Sequence, residues 1–232
     1  MTQNDTIIRD SQAAIEYDNQ ARDTHWVGPE VVFGLVYEFV KPGDSVLDLG
    51  IGSGLSSILF HKAGLQVFGL DGSSEILKVC ASKKFAVDLK QHDLRHVPLP
   101  YTSCFCDHIV SVAVLNSFSD LSPLFNEVAR IIKVNGVFAF TIEEQKPDKE
   151  DSYAINRVAV SEKPDAKTAV KLFRHREDYI ARLLKENDFV LLKALEFVAF
   201  RYPAENKDVS FKAHIAQKVE HHEIFQEGDR KQ

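Results

Sequence analysis

An acidic residue followed by glycines at alternate positions, Asp48, Gly50, Gly52 and Gly54, is the pattern in this chain with the clearest chemical use. Val46-Leu47-Asp48-Leu49 before the glycines has the composition of a buried strand, and the residues after Gly54 read as a helix start. A turn without side chains lets backbone approach a bulky ligand closely and take positive φ at little cost. In a dinucleotide-binding turn the spacing is G-x-G-x-x-G, with the third glycine admitting close helix packing and the helix N-terminus meeting a pyrophosphate. Here the spacing is G-x-G-x-G, and Leu55 stands where the other pattern wants its last glycine. Asp48 would repel a pyrophosphate but suits a cationic sulfonium or ammonium group. The turn is therefore read as the cradle of a nucleotide-like cofactor, with Ile51 and Leu55 counted in its wall.

Such a turn works only at the end of a strand held in a sheet, and the chain supplies one. From Ser45 onward strand-like segments at 45–49, 66–70, 87–91, 107–113 and 137–143 alternate with helix-like segments at 54–63, 73–81 and 121–132. A helix at 176–187 and apolar strand segments at 189–200 and 209–217 follow, the last two close enough to form an antiparallel hairpin. Alternation of this kind predicts an α/β fold: a three-layer α-β-α sandwich whose mostly parallel, seven-stranded sheet ends in an antiparallel C-terminal hairpin. The 232 residues fit a single domain. Its expected parts are a helical cap over 1–42, a cofactor-binding core over 43–143, an insertion or lid over 144–175, a helix and edge hairpin over 176–219, and a polar tail over 220–232. Residues 144–170, rich in Glu, Lys and Asp with Pro147 and Pro164, read as an insertion that crosses the surface and breaks the alternation.

The motifs, in their order, resemble those of the class I S-adenosylmethionine-dependent methyltransferases over roughly residues 13–217. The glycine turn is similar to that family's motif I. At the end of the second strand, where the family places an acid that accepts hydrogen bonds from both ribose hydroxyls, stands Asp71, followed by Gly72 and Ser73. Read from the residues alone, Asp71 could equally be a helix N-cap. Asp93-Leu94 resembles the pair that receives adenine, the acid taking the exocyclic amine; a plain turn carboxylate is the other reading. Val112 and Ala113, after the fourth strand, correspond to backbone positions at the methionine end, with Ala113 equally readable as core. Glu16-Tyr17-Asp18 resembles the segment that many small-molecule members fold over the cofactor, so Tyr17 would close the site. Trp26 lies nine residues on, where its ring could meet a sulfonium by cation–π attraction or simply anchor the first helix. Where many members read Leu-His-His-Phe this chain has Leu115-Asn116-Ser117-Phe118, which removes one familiar candidate base.

The resemblance implies S-adenosylmethionine as cofactor, S-adenosylhomocysteine as product and a small-molecule methyl acceptor. A general base is needed only if the acceptor arrives protonated. His175, His25 and Tyr153 are the candidates by position, and for each the structural reading is the stronger. Two competing functions remain open from the residues: a cofactor-binding protein without catalysis, and a nicotinamide-dependent oxidoreductase, against which the glycine spacing, Asp48 and Asp93-Leu94 weigh.

Composition narrows the partners. A formal net charge of −6 argues against an extended nucleic-acid surface. No apolar run approaches the roughly 20 residues that span a bilayer, so no membrane partner is expected. The first residues carry neither a basic nor an apolar stretch of a secretory leader, and a cytoplasmic location is expected. Cys80, Cys104 and Cys106 are an odd set at no metal-like spacing, so no metal site is expected. The oligomeric state is open.

Overall fold

A computed structural model describes residues 6–156, 169–202 and 207–220. The centre of the expected insertion and nearly all of the polar tail lie outside these residues. Seven strands form one sheet: β1 (Ser45–Leu49), β2 (Gln66–Asp71), β3 (Asp88–Gln91), β4 (Cys106–Ser111), β5 (Ile132–Ile142), β8 (Phe189–Tyr202) and β9 (Lys207–Lys218). Their order is β3-β2-β1-β4-β5-β9-β8. The first five run parallel, while β9 pairs antiparallel with both β5 and β8. This is the expected fold class.

Helices α2 (Gly28–Val36), α3 (Ser57–Lys62) and α4 (Ser74–Ser82) cover one face, and α5 (Ser122–Ile131) and α6 (Glu177–Glu186) the other. A strand covered on both faces must be apolar throughout rather than alternating, and Val46, Leu47 and Leu49 of β1 are fully buried. Several helices open on a local signal. Asp10 caps α1 (Ser11–Asp23) by accepting from the Ala13 amide at 2.7 Å. Proline stands in the first turn of α2 and α5, where a missing N–H costs nothing.

Two stretches differ from the sequence reading. Asn135-Gly136, a dipeptide of turn-forming composition just ahead of the strand segment read at 137–143, lies within β5 as an irregularity: Cys106 pairs with Ile132, but His108 pairs with Val137. Asn135 takes φ 66°, and a Cβ on Gly136 would lie 2.2 Å from the Asp107 carbonyl oxygen, so the chain kinks there without leaving the sheet. The second difference is in the insertion, which contributes two antiparallel strands, β6 (Ser152–Asn156) and β7 (Ala169–Phe173), as a separate small sheet. Among the described residues no helix is long and apolar enough to cross a membrane.

Candidate cofactor site

The chain runs β1, β2, β3 outward from the sheet centre and then returns to place β4 on the other side of β1. That reversal opens a crevice at the carboxyl ends of the strands, where open α/β sheets bind their ligands. A cavity lies there, and its wall takes one piece from the end of each of the first four strands: Gly50 and Gly52, Asp71 with Gly72 and Ser73, Asp93 with Leu94, and Val112 with Ala113. Tyr17 of α1 adds to the wall.

Asp71 is fixed by the turn beside it. Its Oδ2 accepts from the Gly52 amide at 2.9 Å and its Oδ1 from the Ser73 amide at 2.8 Å. Burial raises its pKa, and these two N–H donors pull the other way. Asp71 is not the cap of α4: Ser73 holds that role, its hydroxyl accepting from the Ile76 amide at 3.1 Å. The alternative reading of Asp71 thus falls to its neighbour, and a carboxylate oriented by two backbone donors is left in the cavity wall. The three glycines divide the work of the turn. A Cβ on Gly50 would lie 2.5 Å from Val114 Cγ2, and one on Gly54 would lie 2.4 Å from Phe85 Cζ, so both serve packing. Gly52, at φ 55°, would meet nothing nearer than Ile76 Cδ1 at 3.7 Å. Its open side belongs to the cavity.

Other expected site residues stand behind the wall or away from it. Asp48 is buried beneath the turn, accepting from the Ser57 hydroxyl at 2.6 Å, and desolvation pushes its carboxyl up to about 7 despite that bond. Ile51 turns inward, packing where a Cβ on Gly69 would sit 2.5 Å from its Cδ1. Gly54 faces Phe85 and Cys80, and Leu55, in the turn just ahead of α3, lies outside the cavity wall. Trp26 is a core anchor, not a roof. Its ring stands edge-on to Phe200 and Phe211 at 6.0 and 5.8 Å, plugging the corner between α1, α2 and the β8–β9 hairpin. A nine-residue offset along a chain that turns between two helices carries the ring away from Tyr17's face.

The three candidate bases are likewise elsewhere. His25 is exposed at the α1–α2 corner, in the left-handed region at φ 52°. His175 is buried, with Nε2 3.2 Å from the Leu115 carbonyl oxygen, and burial lowers its pKa, so it is neutral and holds the loop after β4. Tyr153 donates to Glu143 Oε2 at 2.5 Å while the Arg174 guanidinium lies 4.2 Å above its ring.

The cavity also contains residues the sequence reading missed. Ile7 and Ile8 precede α1 and cross the Gly72-Ser73 corner, with the Ser73 hydroxyl donating to the Ile8 carbonyl. An apolar pair in an otherwise polar N-terminus was the available signal. Asp18 accepts from the Ser53 hydroxyl and pairs with Lys83 at 2.5 Å, tying α1 to the glycine turn and to α4. Arg95, Ser117 and Phe118 complete the far side. Ala113 takes φ 59°, its amide donating to Thr141 Oγ1 at 2.8 Å, a backbone arrangement that no residue pattern announces.

Residues 47–140 match a family described as a methyltransferase domain. The chain is 31% identical over 131 residues to the malonyl-[acyl-carrier protein] O-methyltransferase of Serratia marcescens, covering 56% of this chain and 49% of that protein. It is 33% identical over 100 residues to the demethylmenaquinone methyltransferase of Corynebacterium kroppenstedtii, covering 41% of this chain and 40% of that one. The aligned part is therefore about half the length of these curated relatives or less. In fold the chain is similar to a SAM-dependent methyltransferase of Methanosarcina mazei, with a TM-score of 0.65 at 19% identity, covering 80% of this chain and 97% of that one. Over residues 47–140 the chain is thus similar to a methyltransferase domain, and its fold, with the glycine turn at the end of β1, is the one shared with the solved SAM-dependent methyltransferase.

Proposed function

We propose that this protein transfers a methyl group from S-adenosylmethionine to a small-molecule acceptor. The observation that carries the reading is Asp71, gripped at both oxygens by the Gly52 and Ser73 amides beside the open face of Gly52. A carboxylate so oriented keeps acceptor capacity for two adjacent hydroxyl donors, the demand a ribose makes. Asp93 and Leu94 would receive the base, and the backbone of Val112 and Ala113 would meet the methionine end. When bound, the cofactor supplies an electrophilic methyl that leaves a neutral thioether, so no leaving group needs protonation. The work left to the protein is alignment and exclusion of water. Tyr17 and the Ile7-Ile8 strap, which border the cavity, suit the second task.

The chemistry of the named relatives supports methyl transfer, while their acceptors, malonyl-[acyl-carrier protein] and demethylmenaquinone, differ enough that neither is carried over. Free thiols at Cys80, Cys104 and Cys106 suit a reducing, cytoplasmic setting. The test is formation of S-adenosylhomocysteine from S-adenosylmethionine in the presence of fractionated metabolites. Product is expected with at least one fraction. Tight binding of NADH with no response to S-adenosylhomocysteine would overturn the reading in favour of an oxidoreductase.

A further inference from the structure

Asp93 does not face the cavity alone. Arg95, two residues on and in the same wall, grips it as a fork: Nε lies 2.9 and 3.0 Å from the two carboxylate oxygens and Nη2 lies 2.6 Å from Oδ2. The Arg95 amide adds a bond to Oδ1 at 3.0 Å. His96 Nδ1 stands 4.0 Å from Oδ2 and also faces Asp93. A planar guanidinium bound through two nitrogens fixes the plane of a carboxylate as well as its charge, which a point cation cannot do. The Arg95 and Asp93 side chains are 30% and 21% exposed, so as a contribution to stability the pair is minor. Its consequence is geometric.

We infer that Arg95 is a positioning residue for Asp93, and that the fork between them sets the preference of this end of the cavity for a 6-aminopurine over a 6-oxopurine. The inference rests on the proposed function, since it presumes that a nucleoside occupies the cavity. An ionised carboxylate only accepts hydrogen bonds, so it suits an exocyclic amine, which donates, and opposes a 6-oxo group, which offers lone pairs. Burial works to raise the pKa of Asp93, and the bonds from Arg95 outweigh it and hold the group below its ordinary value. Without the fork, the carboxylate is free to rotate out of the plane in which it would meet an exocyclic amine.

Calorimetric titration of the full chain with S-adenosylhomocysteine and with its 6-oxo analogue, S-inosylhomocysteine, tests this. The wild type should prefer the amino compound by about tenfold or more, the scale of a hydrogen-bonding site offered the wrong partner. Arg95→Met should lose about tenfold in affinity for S-adenosylhomocysteine and bring the two ligands within roughly threefold of each other. Arg95→Lys should lie between, keeping the charge without the fork. Equal weakening of both ligands in Arg95→Met, or an unchanged ratio, overturns the inference by reducing Arg95 to a general support. A wild type that binds both ligands equally also overturns it and leaves the methyltransferase reading standing. A wild type that binds neither removes that reading as well.

Discussion

A methyl group added at Gly50 would collide with Val114 Cγ2 at 2.5 Å, whereas one added at Gly52 would find 3.7 Å of clearance and project into the cavity. The two glycines share a turn and a left-handed backbone, at φ 80° and 55°, so a difference between their alanine variants isolates packing from ligand space. Gly50→Ala should cost about 2–4 kcal/mol of stability, from overpacking added to the left-handed penalty. Gly52→Ala should cost only about 1–2 kcal/mol by denaturant titration, yet weaken S-adenosylhomocysteine roughly tenfold by filling space. Full ligand affinity in a folded Gly52→Ala would put the ligand elsewhere. The sequence displays the three glycines equally, and only the neighbours brought by α4 and by the loop after β4 separate their roles. The expected role of Asp71 came from the family resemblance, since the residues alone also allow a helix N-cap, and only the bond from Ile76 to Ser73 gives that cap to Ser73. Arg95 was not legible, because a fork closed on a neighbour two residues away has no signature among the many Asp-x-Arg triplets on protein surfaces.

The element that the sequence described least well is the β6–β7 hairpin, whose strands, Ser-Tyr-Ala-Ile-Asn and Ala-Val-Lys-Leu-Phe, are too short for a period to emerge beside the charged residues around them. What holds it is a buried ion pair at the end of β5. Glu143 accepts from Arg174 Nε at 2.6 Å and from the Tyr153 hydroxyl at 2.5 Å, with both Arg174 and Glu143 largely buried. The Arg174 amide adds a bond to the Asp151 carbonyl oxygen at 2.7 Å. Tyr153 therefore belongs to a clamp that ties the hairpin to the end of β5. Glu143→Gln keeps the volume but leaves the guanidinium without its counter-charge, a change that costs about 3–5 kcal/mol when a buried pair loses one partner. Because the clamp joins the hairpin to the sheet and lies outside the main core, the loss should be local. Hydrogen exchange should quicken at the Tyr153 and Lys171 amides while β1 and β4 keep their protection. Uniform acceleration across the sheet would mean that Glu143 supports the whole fold instead.

At the scale of the molecule, the sheet and its layers were legible because the alternation of apolar strands and helices leaves few ways to bury both faces. The return of the chain to put β4 beside β1 is long-range, and nothing in the alternation of segments announces it. One consequence of that topology is that Asp48 sits in the central strand, between β2 and β4, at 2% exposure. A carboxylate there is hard to ionise, and that of Asp48 is pushed up to about 7, mainly by desolvation. In the unfolded chain the same group titrates near the ordinary carboxylate value of about 4. Between those two pH values the folded state holds more protons than the unfolded state, so stability falls as pH rises, and the loss is complete above about pH 7. Asp48→Asn removes the titration but keeps an acceptor for the Ser57 hydroxyl, and any fixed cost of the amide is the same at every pH. The variant should therefore gain on the wild type by on the order of 2–4 kcal/mol between pH 4 and pH 8, read as the difference between their urea unfolding free energies. Parallel curves across that range would mean that Asp48 ionises as easily in the folded protein as outside it, and that the centre of the sheet is wetter than its packing implies.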